Sequence, residues 1–363
     1  MTDPIRELAK HNIPTYLGSY SALEKYFGYR ENNDKFIYTD ASLFELAREF
    51  EEIQYPGYPL SDAVLVFRDN RYIFKCLDSG RKLRTEPFTV LELLYEPQRE
   101  VFLDPMGIYH NLREDVLVPE NMDYPNWVIL FEAAKLVSKF HYSTNGNMTL
   151  RVDGRDKPPE DCQRELLIGV LSGKYPNKGF SLLLKSGFIE EFWPEIFIMT
   201  ETSHSKDYHP EGNVWEHTLE ALKFRKKQNI ELSLALLLHD IGKAYSVSYG
   251  DKPFYNHSIV GTRIARKFLR RLKFPEETIE NVLFLIKHHM FPHAMIKMPP
   301  YRREKIMESE LFPMLLEVYR ADISSSYNEL DNYYEACRIY KNYLRERKNP
   351  FKSLKSVKLH RPL

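Results

Sequence analysis

The run LSLALLLHDIGK, residues 232–243, constrains this chain more than any other stretch. Its apolar residues are continuous but for Ser233, which predicts a buried helix. The run then ends on two adjacent polar side chains, His239 and Asp240. Burying an imidazole and a carboxylate at the end of an oily helix costs several kcal/mol unless polar partners meet them there. A divalent cation is one such partner. Further candidates are His217 in VWEHTL, His257 in FYNHSIVG, His288 and His289 in LIKHHM, and Asp322 in YRADISSS. A lone histidine on an apolar helix is most often a satisfied core or surface residue, so the pattern as a set carries the inference. His204, His209 and His293 are read as non-ligands, with His209 in YHPEG near the mouth of the site.

In chain order, H…HD…H…HH…D resembles the HD superfamily of metal-dependent phosphohydrolases. The resemblance implies a first metal site of His217, His239, Asp240 and Asp322. It implies a second of Asp240, His257 and His288, with Asp240 bridging. Adjacent helical residues point about 100° apart, so only one of His288 and His289 can face the site squarely. His289 and Arg263 are assigned to substrate. Lys243 stands where many members keep a lysine beside the substrate phosphate, and Asp240 and Lys243 are the expected catalytic pair. Mixed imidazole and carboxylate donors suit Mn, Fe, Zn, Ni or Co, and Mg less well; one or two ions per chain are expected. The implied reaction is phosphate-ester hydrolysis on a nucleotide or an RNA 3′ end. A 2′,3′-cyclic phosphate is the favoured substrate.

The front of the chain alternates helix and strand signals. IRELAKHNI reads as a helix, IPTYLGSYSALEKYFGY as strand, turn and helix, and KFIYTDASLFELAREF repeats that order with N-cap residues at Thr39, Asp40 and Ser42. DAVLVFRDNRYIFKCLD reads as two strands around a turn at Asp69-Asn70. YLGS, D-x-F-I-x-T-D-A-S, EPFTVLELLYEP and FLDPMGIYHNL together are similar to the head of the tRNA nucleotidyltransferases and bacterial poly(A) polymerases, the CCA-adding family. The departures fall on the chemistry. Gly18 and Ser19 match the family's triphosphate turn. Asp34 remains of its paired carboxylates, but Phe36 stands in the place of the second. Two-metal phosphoryl transfer needs carboxylates to hold two ions about 3.5–4 Å apart. Asp62 or Asp69 is a substitute only if a neighbouring strand brings it there. Thr85, Glu86 and Pro87 replace an Arg-Arg-Asp element. The base-reading pair is incomplete, since Asp123 has no arginine between Arg113 and Arg151. An inactive head is the expectation. The alternatives are an RNA-binding protein with a structural metal, or a working tRNA nucleotidyltransferase or poly(A) polymerase.

WVILFEAAKLVSKFHYS, RELLIGVLSG and GFSLLLKSGFIEEFWPEI read as helices of a neck, the second closed by Gly173 and the third broken by Gly187. The fold class is therefore α+β: a small mixed-sheet head (1–120), an all-α neck (121–195), an all-α HD domain (196–330) and a C-terminal helix with a basic tail (331–363). The family's further tail domain has no counterpart after it, which weakens the expectation of gripping a whole tRNA. Formal net charge is +0 over 363 residues, so any nucleic-acid surface must be local. The basic helix GTRIARKFLRRLKF is such a candidate, although a solvated helix face explains it equally. Three scattered cysteines argue against a disulfide framework. No run approaches the ~20 apolar residues of a membrane span, and the N-terminus lacks a signal-peptide core. A cytoplasmic protein without membrane partner is expected, with tRNA a candidate partner and the oligomeric state open.

Overall fold

Strand-forming runs punctuated by Gly, Asn and Asp fold the front of the chain into a six-stranded mixed sheet. The computed structural model describes residues 3–30, 33–68, 70–77, 86–144, 150–152, 154–203, 212–246, 254–326 and 330–347. The strands are β1 (Thr15–Gly18), β2 (Asp34–Thr39), β3 (Ala63–Phe67), β4 (Asn70–Cys76), β5 (Leu94–Glu96) and β6 (Val101–Leu103), in the order β3-β4-β2-β1-β5-β6. Within this sheet, among the described residues, β2 and β4 are the parallel neighbours, with Asp34 opposite Arg71 and Phe36 opposite Ile73. The helices here are α1 (Pro4–Lys10), α2 (Ser19–Tyr26) and α3 (Leu43–Glu49). A capping box starts α3: Ser42 accepts from the Glu45 N–H, and Glu45 accepts from the Ser42 N–H at 2.8 Å. Leu8, Ile37, Leu46, Phe50, Leu65 and Phe74 form one buried cluster. α4 (Asn126–Lys139) lies between the strands of a short parallel pair, β7 (Val116–Leu117) and β8 (Ser143–Thr144).

Packing divides the chain into two units, Met1–Leu136 with His141–Val152, and Val137–Phe140 with Asp153–Leu363. The expected neck, 121–195, is divided: most of α4 belongs to the first unit, and the later neck helices group with the residues that follow them. In the second unit lie α5 (Glu160–Ser172), α6 (Pro176–Lys185), α7 (Phe188–Phe192), α8 (Pro194–Glu201), α9 (Val214–Lys223), α10 (Ile230–Leu238), α11 (His257–Arg271), α12 (Glu276–His288), α13 (Phe291–Ala294), α14 (Pro300–Met307), α15 (Phe312–Ser325) and α16 (Asp331–Arg347). Gly187 between α6 and α7 takes φ +80°, the left-handed conformation that lets the chain turn without a side-chain clash. Trp193 is fully buried, meets the Phe268 ring of α11 edge-on at 5.8 Å, and donates from its indole to Gln163 of α5 at 2.9 Å. Phe180 of α6 packs edge-on against Trp215 of α9. No described helix is long and apolar enough to cross a membrane.

Arginines close two helix ends that would otherwise bury bare carbonyls. The Arg225 guanidinium donates to the Leu171 and Gly173 carbonyls at the end of α5 and to Ser233 Oγ at 2.6 Å. Arg320 does the same for the Phe224 carbonyl at the end of α9 while paired with Glu317. Burial pulls the Arg225 pKa down to about 10, and it stays cationic at neutral pH. Replacing Arg225 with methionine strands the α5 carbonyls. It should lower the stability of the unit by about 1–3 kcal/mol per carbonyl left unpaired, read as an earlier midpoint in chemical denaturation. A midpoint unchanged from the parent would show that water reaches those carbonyls.

Candidate metal centre

Five helices of the second unit bring polar side chains to one point. His217 lies in the first turns of α9, which Asn213 caps by accepting from the Glu216 N–H at 2.8 Å. The oily helix α10 ends at Leu238, and His239 and Asp240 follow in the turn, both fully or nearly buried. His257 opens α11, His289 follows α12, and Asp322 lies near the end of α15. Gly242 makes this convergence possible. A Cβ there would lie 2.0 Å from the His257 carbonyl oxygen and 2.5 Å from the Gly261 nitrogen. Only glycine lets the His-Asp turn press onto the first turn of α11.

The distances define two overlapping donor groups. His217, His239 and Asp240 form one, and Asp240, His257 and His289 the other; in each the ligand atoms lie within 4.8 Å of one another. His217 Nε2 is 3.0 Å from Asp322 Oδ1 and 3.8 Å from Asp240 Oδ2. His239 Nε2 is 3.3 Å from Asp240 Oδ2 and 3.6 Å from Asp322 Oδ1. On the other side, Asp240 Oδ1 is 3.5 Å from His257 Nε2 and 3.9 Å from His289 Nε2. Asp240 thus faces both groups. Lys243 Nζ reaches Asp240 Oδ2 at 2.6 Å.

The far nitrogens of the imidazoles are all engaged. His239 Nδ1 faces the Leu236 carbonyl at 2.8 Å, His257 Nδ1 the Phe254 carbonyl at 3.1 Å and His289 Nδ1 the Ile286 carbonyl at 2.8 Å. A carbonyl only accepts, so each Nδ1 carries the proton. Ser325 donates its hydroxyl to the Asp322 carbonyl, so its oxygen accepts from His217 Nδ1 at 3.2 Å. This turns every Nε2 inward: at His257 and His289 it presents a lone pair, while at His217 it lies 3.0 Å from the Asp322 carboxylate, which only accepts. His257 and His289 Nε2 are 3.2 Å apart with no proton to share, and the buried Nε2 of His239 has no hydrogen-bond partner. Inward lone pairs beside carboxylates repel one another unless a cation lies among them, and the donor set fits a divalent ion.

Electrostatics agree. Burial would raise the Asp240 carboxyl, but Lys243, His239 and His217 outweigh it and hold it well below the usual range. Asp322 is likewise held well below its ordinary value, against burial, by His217 and His239. Burial disfavours a charged His239, yet Asp240 and Asp322 lift its pKa to about 10. Burial, with His239 nearby, pushes His289 down to about 4, and burial also lowers His257.

One residue of the expected ligand set needs correction. His288 does not join the centre; its ring packs 4.8 Å from Phe284 and 6.4 Å from Phe291, and burial lowers its pKa. His289 takes its place, because the end of α12 turns that residue inward. His289 is accordingly a ligand candidate rather than a substrate contact. Arg263 is exposed and six residues beyond His257, about 120° around the helix from it. The basic helix is largely neutralised: Arg266 pairs with Glu276 and Glu280, Arg270 with Glu276, Arg271 with Glu195, and Lys273 after it with Asp161. His293 approaches the Tyr319 hydroxyl at 3.4 Å. His204 and His209 lie outside the described residues.

Residues 214–323 match the HD-domain family. The second unit carries an HD domain. Across the chain the similarity is to CCA-adding enzymes. The multifunctional CCA protein of Halorhodospira halophila is 28% identical over 144 residues, 39% of this chain and 34% of that protein. The CC-adding tRNA nucleotidyltransferase of Thermus thermophilus is 30% identical over 173 residues, 46% of this chain and 39% of that protein. The matched stretches thus span well under two thirds of these relatives. The solved Bacillus stearothermophilus CCA-adding enzyme in complex with CTP aligns over 95% of this chain and 84% of its own, with TM-score 0.55 and 15% identity. A tRNA-processing enzyme (apo form 2) aligns over 96% of both chains with TM-score 0.52 and 13% identity. At such identity the likeness establishes a shared fold: a mixed-sheet head and a helical HD domain.

The head residues occupy a different chemical setting. Gly18 ends β1, where a Cβ would lie 2.1 Å from the Tyr38 ring, and Ser19 is buried with φ +49°. Asp34 is held by Arg71 in a two-pronged pair at 3.0 and 2.8 Å. Phe36 donates its N–H to Ser21 Oγ at 2.9 Å. Asp62 accepts from the Cys76 N–H at 2.8 Å, and Asp69 lies outside the described residues. Glu86 is buried between the Tyr38 hydroxyl and Lys75, whose Nζ is 2.5 Å away. Among the described residues, the one metal-capable group of this unit is Glu7, His11 and Glu49 on α1 and α3, which includes none of these.

Two measurements check the HD centre. His289→Ala should weaken binding of a second equivalent of Mn²⁺ or Co²⁺ in calorimetry about tenfold or more, while His288→Ala leaves it unchanged. The reverse ranking would move the ligand back to His288. Asp240 and Asp322 favour a protonated His239, and a histidine must lose that proton to ligate a metal, so binding at pH 7 should release protons and tighten as pH rises. Binding enthalpies independent of buffer ionisation would contradict it.

Proposed function

We propose that the HD centre is a metal-dependent phosphohydrolase site acting on a nucleotide or an RNA 3′ end, with a 2′,3′-cyclic phosphate favoured. The single observation behind this reading is the convergence of four Nδ1-anchored imidazoles on Asp240 and Asp322, with Lys243 alongside. A divalent ion bound there supplies a water of lowered pKa and polarises a phosphoryl oxygen. The chain's own residues set the geometry. Asp240 faces both donor groups. Ser325 and three backbone carbonyls keep each imidazole in the tautomer that presents Nε2. Lys243 Nζ, 2.6 Å from Asp240 Oδ2, would offer its ammonium to the negative charge of a phosphoryl group beside Asp240. The chain's enzymatic character, its RNA and nucleotide partners and a cytoplasmic location belong to the same reading.

The relatives favour a second reading, and more directly than they favour hydrolysis. The Halorhodospira halophila and Thermus thermophilus proteins are named for CCA and CC addition, and the Bacillus stearothermophilus structure holds CTP. By that likeness the chain transfers nucleotides to a tRNA 3′ end. Against it stand the pairing of Asp34 with Arg71, phenylalanine at position 36 and the buried Glu86. On this chemistry we keep the inactive head as the proposal and transfer as its rival.

One pair of assays separates them. With Mn²⁺, Co²⁺ or Ni²⁺, the protein should hydrolyse 2′,3′-cyclic AMP or bis-p-nitrophenyl phosphate, and Asp240→Ala should lower kcat/KM by about a hundredfold or more. Incorporation of labelled CTP or ATP into tRNA lacking its terminus, unaffected by Asp240→Ala, would instead establish the second reading. Tight RNA binding without turnover under any metal would leave the metal a structural role.

A further inference from the structure

We infer that a cavity in the head, walled by α1 and two hairpin turns, takes a small phosphate ester between Arg6 and Arg68. The cavity holds about 610 Å³. Three stretches far apart in sequence line it: α1 with its cap Asp3, the β3–β4 turn through Arg68, and the β5–β6 turn through Pro97 and Gln98. All three belong to the first unit. Gly18, Ser19 and Asp34 are not among its lining residues, so it is separate from the turn that resembles a triphosphate site.

The charges in the cavity are unevenly committed. Asp3 Oδ1 accepts from the N–H of Ile5 at 3.1 Å and of Arg6 at 3.4 Å, and Oδ2 from the Tyr72 hydroxyl at 2.6 Å. Those bonds take up the first amides of α1, so side chains must meet any ligand. Arg6 and Arg68 are both exposed, and among the described residues neither is paired with a carboxylate. Neighbouring arginines are paired: Arg71 with Asp34 and Arg99 with Glu96. The backbone adds an independent sign. Arg68 takes φ +55° in the short connection between the paired Phe67 and Asn70. Hairpin turns of that conformation favour Asn, Asp or Gly, so an arginine there costs backbone energy. Strain of this kind gathers where a side chain serves a ligand.

The lining selects the occupant. A guanidinium fork fits carboxylate and phosphate alike, but one fork occupies both oxygens of a carboxylate. A phosphate ester presents three acceptor oxygens and nearly two negative charges at neutral pH, so a single group can meet both arginines. The volume is that of a site for a small organic molecule and exceeds what a bare phosphate fills. Ile5, Ala9 and Pro97 give the remainder an apolar wall. The ligand class is therefore a phosphate monoester with an apolar body, and its binding would tie α1 to both hairpin turns.

The test reads each arginine separately. Phenylglyoxal modifies accessible guanidiniums, and peptide mass spectrometry follows Arg6, Arg68 and Arg99 in the full-length protein, with EDTA present to keep metal from the HD centre. Arg99 is exposed, follows Gln98 and does not line the cavity, so it serves as control. Phenyl phosphate at about ten times its half-protecting concentration should slow modification of Arg6 and Arg68 about tenfold and leave Arg99 within about 1.5-fold. Inorganic phosphate, which lacks the ring, and benzoate, which lacks the third oxygen, should each need about tenfold more for equal protection. Arg6→Gln should raise the concentration needed to protect Arg68 about tenfold or more, and Arg68→Asn that needed to protect Arg6. Arg68→Asn should also raise the urea midpoint of unfolding, because asparagine tolerates the left-handed turn. No protection, or equal slowing of all three arginines, would overturn the inference. So would inorganic phosphate or benzoate protecting as well as phenyl phosphate. A lower urea midpoint in Arg68→Asn would assign that guanidinium to the fold and equally overturn it.

Discussion

Every feature of the HD domain depends on fixing the outer nitrogen of each histidine. An imidazole offers a metal one lone pair, and the proton on the other nitrogen decides which. At His239 and His289 the acceptor is a carbonyl three residues earlier in the chain, which each helix leaves unpaired near its end. At His257 the same acceptor comes from a left-handed turn, and at His217 from a serine on a different helix. The scaffold thus uses the bare carbonyls of helix ends as tautomer selectors. That is why the metal ligands cluster at helix ends and not along helix faces.

This arrangement explains the composition of α10. A helix whose far end must present a buried histidine and aspartate needs a position that does not fray. Seven buried residues from Leu232 to Leu238 hold it on all sides. Its neighbours are pinned by charge: Arg225 fastens the end of α5, Arg320 that of α9, and Arg271 binds Glu195 of α8. The basic appearance of α11 has the same origin, since most of its arginines are spent on carboxylates of the same unit. Its charge describes how the helix is held more than what it binds.

Much of the fold was legible because its signals are local. The capping box at Ser42 and Glu45, the end of α5 at Gly173 and the break at Gly187 follow from one or two residues each. The set H…HD…H…HH…D was legible as spacing. The choice between His288 and His289 was not, because it turns on how α12 rolls against its neighbours, a property of packing rather than of the pair. Gly242 was visible in HDIGK, but its reason lies in the carbonyl of His257, fifteen residues later. The positive φ at Phe254 and Asn256 carries no sequence signal at all in phenylalanine's case. The later neck helices group with the HD domain because Trp193 and Phe180 find their partners on α11 and α9, contacts that hydrophobic periodicity cannot assign.

The two units treat buried charge in opposite ways. In the head, two buried carboxylates are matched inside the unit: Glu86 with Lys75 and Tyr38, and Glu132 with Lys135, Tyr20 and Tyr58. Asp34 has Arg71. A metal or a triphosphate would have to displace partners already in hand, at the desolvation cost of every group left behind. In the HD domain the balance is unfinished. The Nε2 atoms of His257 and His289 face each other, Nε2 of His239 has no hydrogen-bond partner, and Asp240 and Asp322 raise the His239 pKa. Satisfied networks rigidify, whereas a network short of positive charge at its centre has affinity to spare for a cation. Among the described residues, the buried polar atom left without a hydrogen-bond partner, Nε2 of His239, lies in the helical unit.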